Sequence, residues 1–148
     1  MSVISVAGRY DVTIGRGVLE RAAAAVPDTA ARVLVIEQAA VAAVAERVAA
    51  DLTARGIEVL REAVPDGEAA KTVEVSAHLW GVMARAGFTR TDVVVGVGGS
   101  VATALAAYVV TTGAEVDPRA AAGPSGPREA HEVLCPVGDP AKARATAR

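Results

Sequence analysis

At 148 residues the chain has the length of one ordinary domain, enough to bury about two-thirds of its unfolded surface. Hydrophobic residues make up 52% and aromatics only 3%, so a single core of Ala, Val, Leu and Ile packed as close helix-on-sheet layers is expected. A net charge of -2 with scattered arginines offers no basic field to nucleic acid, no apolar run nears the roughly 20 residues of a bilayer span, and MSVISVAGRYDVTIG has no signal-peptide pattern, which together lead to the expectation of a cytoplasmic protein.

Val3 to Val6 and Tyr10 to Ile14 are β-branched runs separated by Ala7-Gly8-Arg9, a pattern that predicts a β-hairpin, with Gly15 and Gly17 stopping its second strand. The spacing of Val18, Leu19, Ala22, Ala23 and Val26 predicts a short helix closed by Pro27-Asp28. RVLVIE, from Arg32 to Glu37, is a continuous apolar run of strand length, the mark of a strand covered on both faces. An Ala-rich helix follows from about Ala39 to Arg55, with Gly56 as its stop. Ile57 to Val64 reads as a strand, Pro65-Asp66-Gly67 as a turn, and Glu68 to Ala86 as a long amphipathic helix ended by Gly87. Asp92 to Val97 is the most hydrophobic strand, and Gly98-Gly99-Ser100 leads into a helix running to about Thr112. Strand and helix alternate from Arg32 onward, which predicts an α/β fold, a Rossmann-like parallel sheet flanked by helices behind an N-terminal hairpin. Five of the seven prolines lie beyond Thr112, and residues 113–148 keep no period of either kind. The expected division is a domain over residues 1–112 and a mostly disordered tail over 113–148, with HEVLCPV as its one short strand candidate.

Two stretches carry residue types suited to a nucleotide. Val95-Gly96-Val97-Gly98-Gly99-Ser100 is a buried strand entering a glycine turn that opens a helix, where bare backbone lets a phosphate approach and free N–H groups with the helix dipole attract it. It lacks both the full GxGxxG spacing and the Walker lysine, so a plain tight turn is the competing reading. Asp66-Gly67-Glu68-Ala69-Ala70-Lys71 lies at another strand end, where its carboxylates suit ribose hydroxyls and Lys71, one turn after Glu68, suits a phosphate. The competing reading there is an acidic helix start followed by a solvated lysine. Glu37 ends RVLVIE at the same sheet edge, the crevice in which open α/β sheets bind ligands.

The remaining chemistry-bearing residues point to no site. His78, beside Leu79 and Trp80 in its helix, reads as structural, and His131 sits in the proline-rich tail. Cys135 stands alone, without the partners a disulfide or a zinc site needs, and no Ser-His-Asp or Cys-His arrangement follows from the spacing.

YDVTIGRGVL at Tyr10 to Leu19, VPDGEAAKT at Val64 to Thr72, LW at Leu79-Trp80 and GFTRTDVVVGVGG at Gly87 to Gly99 resemble the N-terminal domain of 3-dehydroquinate synthase. The resemblance spans about residues 3 to 112 and extends more faintly to the related sugar-phosphate cyclases, with PDGE and GFTRTD leaning toward the shikimate enzyme. It implies an NAD-dependent lyase of aromatic amino acid biosynthesis that uses zinc or cobalt to cyclise 3-deoxy-D-arabino-heptulosonate 7-phosphate with loss of phosphate. It also implies that Asp66, Gly67, Glu68 and Lys71 contact the nucleotide, that Gly98 and Gly99 lie in the loop against its pyrophosphate, with Ser100 and Val101 also among the cofactor-binding residues, and, more loosely, that Glu37 lies near the adenosine ribose.

Two departures bear on NAD affinity. Ser100 stands where the family has a glycine, and a left-handed conformation there would cost about 1 to 2 kcal/mol. Ala104 stands where the family has an aspartate that helps hold the cofactor, a hydrogen bond worth about 1.5 to 3 kcal/mol. Beyond Thr112 the resemblance stops, so the family's substrate-binding lysines and its metal-binding glutamate and histidines find no counterpart and no zinc or cobalt is expected to bind. The leading reading is a 3-dehydroquinate synthase-like, NAD-binding domain that is inactive alone. The alternatives are a non-catalytic partner or regulator of a full-length synthase, a homo-oligomer among its possible forms, and a frameshifted remnant. The Ala, Arg, Gly and Pro bias after Thr112 is what out-of-frame translation of GC-rich DNA yields.

Overall fold

The β-branched runs and alanine-rich stretches fold as their patterns demand. The computed structural model describes residues 1–7 and 10–116. Strands β3 (Arg32–Gln38), β4 (Glu58–Val64) and β5 (Val93–Val97) form a parallel sheet in the order β4-β3-β5. Leu34 lies opposite Leu60 on one side and Val94 on the other. The central strand is buried from Val33 to Glu37, and every residue of β5 is buried, which explains why both read as unbroken apolar runs.

Alternation along β3 sends its side chains into two layers. Val33 and Val35 pack with Ala45, Val48 and Leu52 of α2 (Ala42–Ala54) and with Ala22 and Ala23 of the short α1 (Ala22–Ala25). Leu34 and Ile36 pack on the other face with Leu79 and Val82 of α3 (Val73–Arg85) and with Leu105, Ala106 and Val109 of α4 (Ser100–Val116). Trp80 joins these two helices by donating its indole N–H to the Val109 carbonyl at 3.2 Å. Helices therefore cover both faces of a parallel sheet, as predicted.

The stops called for by glycine take one form. After α2, Gly56 adopts φ 83° and donates to the Thr53 carbonyl while Ile57 N–H reaches Leu52. After α3, Gly87 at φ 70° donates to Ala84 and Phe88 N–H reaches Met83. Both are Schellman ends that only glycine enters without penalty.

At the amino edge of the sheet, Asp92 is a clamp. Its buried carboxylate accepts from the N–H groups of Ala31 and Arg32 at 3.2 and 2.8 Å and from the N–H and hydroxyl of Thr89 at 2.7 and 3.0 Å. The GFTRTD stretch thus ties the start of β5 to the start of β3.

Strands β1 (Ser2–Val6) and β2 (Tyr10–Ile14) pair antiparallel as a separate two-stranded sheet, Ser2 opposite Ile14. Several boundaries differ from expectation, among them the helix expected from about Ala39, which opens as a 3-10 turn (Ala39–Val41) before α2. The helix expected over Glu68 to Ala86 is split into a 3-10 turn at Gly67–Ala70 and α3, because Lys71 leaves helical geometry and Thr72 caps a new helix start. The first expected helix is likewise a 3-10 turn (Val18–Arg21) running into α1. Helix α4 continues to Val116, past the expected end at Thr112. His131, Cys135, HEVLCPV and the expected disorder of the tail lie outside the described residues.

Candidate functional site at the carboxyl edge of the sheet

The carboxyl ends of β3, β4 and β5 meet at one polar cluster. Gln38, the last residue of β3, spans it. Its Nε2 donates to Asp66 Oδ1 at 3.1 Å just beyond β4, and its Oε1 accepts from the Gly99 N–H at 2.9 Å just beyond β5. Sequence reading did not single out Gln38, although the signal was present: residues 34, 36 and 38 share the face that packs on α3 and α4.

The same alternation separates Glu37 from this cluster. It turns to the α2 side, where Arg61 of β4 grips it with two bonds of 2.9 and 2.8 Å and also reaches the Ala42 carbonyl. Glu37 is 7% exposed, so this fork occupies both oxygens of a buried carboxylate. The Glu37 hydrogen bond holds the Arg61 guanidinium above its ordinary pKa.

At Gly98 the glycine answers to space, not to backbone torsion. Neither Gly98 nor Gly99 has positive φ, and Ser100, as the first residue of α4, has none either, so the strain that a left-handed Ser100 would carry does not arise. A Cβ on Gly98 would lie 2.5 Å from Gln38 Oε1 and 2.9 Å from the Ala102 Cβ. A Cβ on Gly96, two residues earlier, would meet the Ala102 carbonyl oxygen at 2.8 Å, so α4 rests directly on the strand backbone. Thr103 N–H bonds to the Gly99 carbonyl, which makes Gly99 the residue from which the helix starts. Gly99 and Ser100 are exposed, and Val101 packs half-buried against the α3/α4 layer.

Beside the turn, Gly67 takes φ 60° and Lys71 Nζ reaches back to Glu68 Oε1 at 2.7 Å, an exposed pair. Lys71, Thr72, Val73 and Ser76 face Ala104, Leu105 and Tyr108 across a groove of about 350 Å³. Asp66 and the glycine turn are thus joined through Gln38, Lys71 and Glu68 stand next to them, and Glu37 is turned away. His78 pairs with Glu62 at 2.8 Å on the outer surface of α3. Among the described residues no three His, Cys, Asp or Glu gather as a metal cluster, so these residues do not fit a catalytic zinc or cobalt ion. No helix there is long and apolar enough to cross a membrane.

Fold and edge cluster together define an open α/β domain with a glycine turn at the carboxyl edge of a parallel sheet. Residues 61–114 match the family model for the 3-dehydroquinate synthase N-terminal region. The chain is 45% identical over 103 residues to the 3-dehydroquinate synthase of Streptomyces avermitilis, covering 70% of this chain and 28% of that protein. Its fold matches 2-deoxy-scyllo-inosose synthase solved with carbaglucose-6-phosphate, NAD+ and Co2+, at TM-score 0.60 and 21% identity over 68% of this chain and 28% of that one. It also matches 2-epi-5-epi-valiolone synthase of Streptomyces hygroscopicus subsp. jinggangensis solved with NAD+ and Zn2+, at TM-score 0.56 and 24% identity over 75% and 31%. Over this region the chain is similar to the N-terminal part of 3-dehydroquinate synthases. It spans little more than a quarter of the length of that Streptomyces relative.

Proposed function

We propose that this chain is the nucleotide-binding part of a 3-dehydroquinate synthase-type cyclase and that it binds NAD at the carboxyl edge of the sheet. The observation that carries the reading is the Gly98–Gly99 turn. Its backbone is already approached by an acceptor oxygen, that of Gln38, in the way a pyrophosphate oxygen would approach it. Gly98, Gly99, Ser100 and Val101 would hold the pyrophosphate on the amino end of α4, while Asp66, Gly67 and Glu68 would orient the sugar beside it and Lys71 would reach a phosphate. NAD, when bound, supplies reversible hydride acceptance from a substrate hydroxyl. The residues of this chain bind and orient the cofactor, and no step through a metal is assigned to them.

The test is a calorimetric titration of the purified chain with NAD at low salt up to millimolar ligand. Saturable binding is expected, weakened by Ala104. No heat from a chain shown by circular dichroism to be folded overturns the reading. The chain alone is expected to release no phosphate from the heptulosonate phosphate with NAD and zinc present, and measurable turnover would contradict this part.

A second reading, a non-catalytic partner of a full-length synthase, draws support from the hairpin, whose Val3, Ile4, Tyr10, Val12 and Ile14 are exposed. Co-elution with an intact synthase is its expected outcome, and separate elution at micromolar concentration counts against it.

A further inference from the structure

We propose that Gln38 is an internal competitor for the phosphate site. Its carboxamide occupies the glycine turn in the free protein and has to leave when a phosphate binds. This rests on the nucleotide reading above. The geometry is specific. The carboxamide oxygen sits 2.9 Å from the Gly99 nitrogen, the donor that a phosphate oxygen would take at the start of α4. It also fills the space over Gly98 so closely that even a methyl group there would fall 2.5 Å from it. A phosphate and the Gln38 oxygen therefore cannot share the turn.

The far end of the side chain explains why it stays. Its Nε2 is anchored on Asp66 at 3.1 Å, so one residue bridges the ends of β4 and β5 from the end of β3 and presents an uncharged acceptor to the turn. Glu37, the neighbouring acid, cannot play this part because Arg61 holds it on the other face. Displacing Gln38 forfeits two hydrogen bonds, and that loss reduces the apparent affinity of any incoming phosphate by the fraction of molecules with the turn open.

Inorganic pyrophosphate and NAD are titrated separately into the 148-residue chain and into Gln38→Ala at one ionic strength. The Gly99 backbone amide and the Gln38 side-chain amide are followed by NMR. Pyrophosphate is expected to shift both signals in the wild type and to bind Gln38→Ala about two- to tenfold more tightly, the return of about one net hydrogen bond. Gln38→Ser replaces the alanine variant should that fail to fold, and the wild-type NMR readout needs neither.

Equal or weaker pyrophosphate binding by the folded variant overturns the proposal. So does wild-type binding that leaves the Gln38 side-chain signals unmoved, or failure of both chains to bind pyrophosphate. NAD separates the two readings. Tightened pyrophosphate with NAD bound by neither chain keeps the competition and removes the dinucleotide, whereas equal pyrophosphate affinity with NAD bound by both chains does the reverse.

Discussion

Ala104 and Arg61 show how single side chains set the chemistry of this sheet edge. Ala104 faces Lys71 across the groove and carries no polar group toward it. Ala104→Asp returns a carboxylate to that wall, and one charge-assisted hydrogen bond of about 1.5 to 3 kcal/mol corresponds to about a ten- to hundredfold gain in NAD affinity. Calorimetry on the variant checks this, and unchanged affinity would place the cofactor elsewhere. Arg61 acts on stability instead. Arg61→Leu strands a buried carboxylate, with an expected loss of about 1 to 3 kcal/mol by urea denaturation, below the cost for a fully enclosed pair because the guanidinium is 35% exposed. The sign of its pH dependence follows from its raised pKa. A cation whose folded pKa lies above its unfolded value contributes fully below the unfolded value and loses that contribution only as pH climbs through the folded one. The arginine's own titration therefore leaves stability unchanged from neutral into alkaline solution.

At the scale of elements, α3 depends on a start that periodicity alone did not place. Thr72 adopts an extended backbone, and its hydroxyl accepts from the Val75 N–H at 3.3 Å, half of a capping box whose other half Val75 cannot supply. Thr72→Ala is expected to cost about 1 kcal/mol, read as a lower urea midpoint with unchanged slope. Since Thr72 also lines the groove, a second readout on Thr72→Ser, which keeps the hydroxyl, should restore the midpoint. The sequence hid this boundary because Glu68 to Ala70 lies close to helical geometry as part of a 3-10 turn and continues the apolar spacing of α3. By contrast β3, β5 and the glycine stops of α2 and α3 were plain in the sequence, for burial on both faces and left-handed stops each leave an unambiguous mark. The edge cluster was half legible. Strand ends and a glycine turn pointed to this edge, but the fork between Glu37 and Arg61 and the bridge made by Gln38 are pairings across strands that no single stretch of sequence carries.

At the scale of the molecule the hairpin stands apart from the three-stranded sheet. Among the described residues β1 and β2 pair only with each other, and Val3 and Ile4, which point to opposite faces, are 53% and 51% exposed. A two-stranded ribbon is marginal in water without something packed on it. Tyr10, Val12 and Ile14 add exposed apolar area on the second strand, which association through this ribbon would remove from water. The purified chain is therefore expected to show a weight-average mass above 14.9 kDa in light scattering at tens of micromolar. Ile4→Lys combined with Val12→Lys, which sit opposite each other in the ribbon register, should bring the mass down to that of the monomer without moving the melting of the α/β core. A wild-type chain that stays monomeric throughout that range would show instead that the ribbon holds by its own ladder, and the partner reading would lose the surface on which it rests.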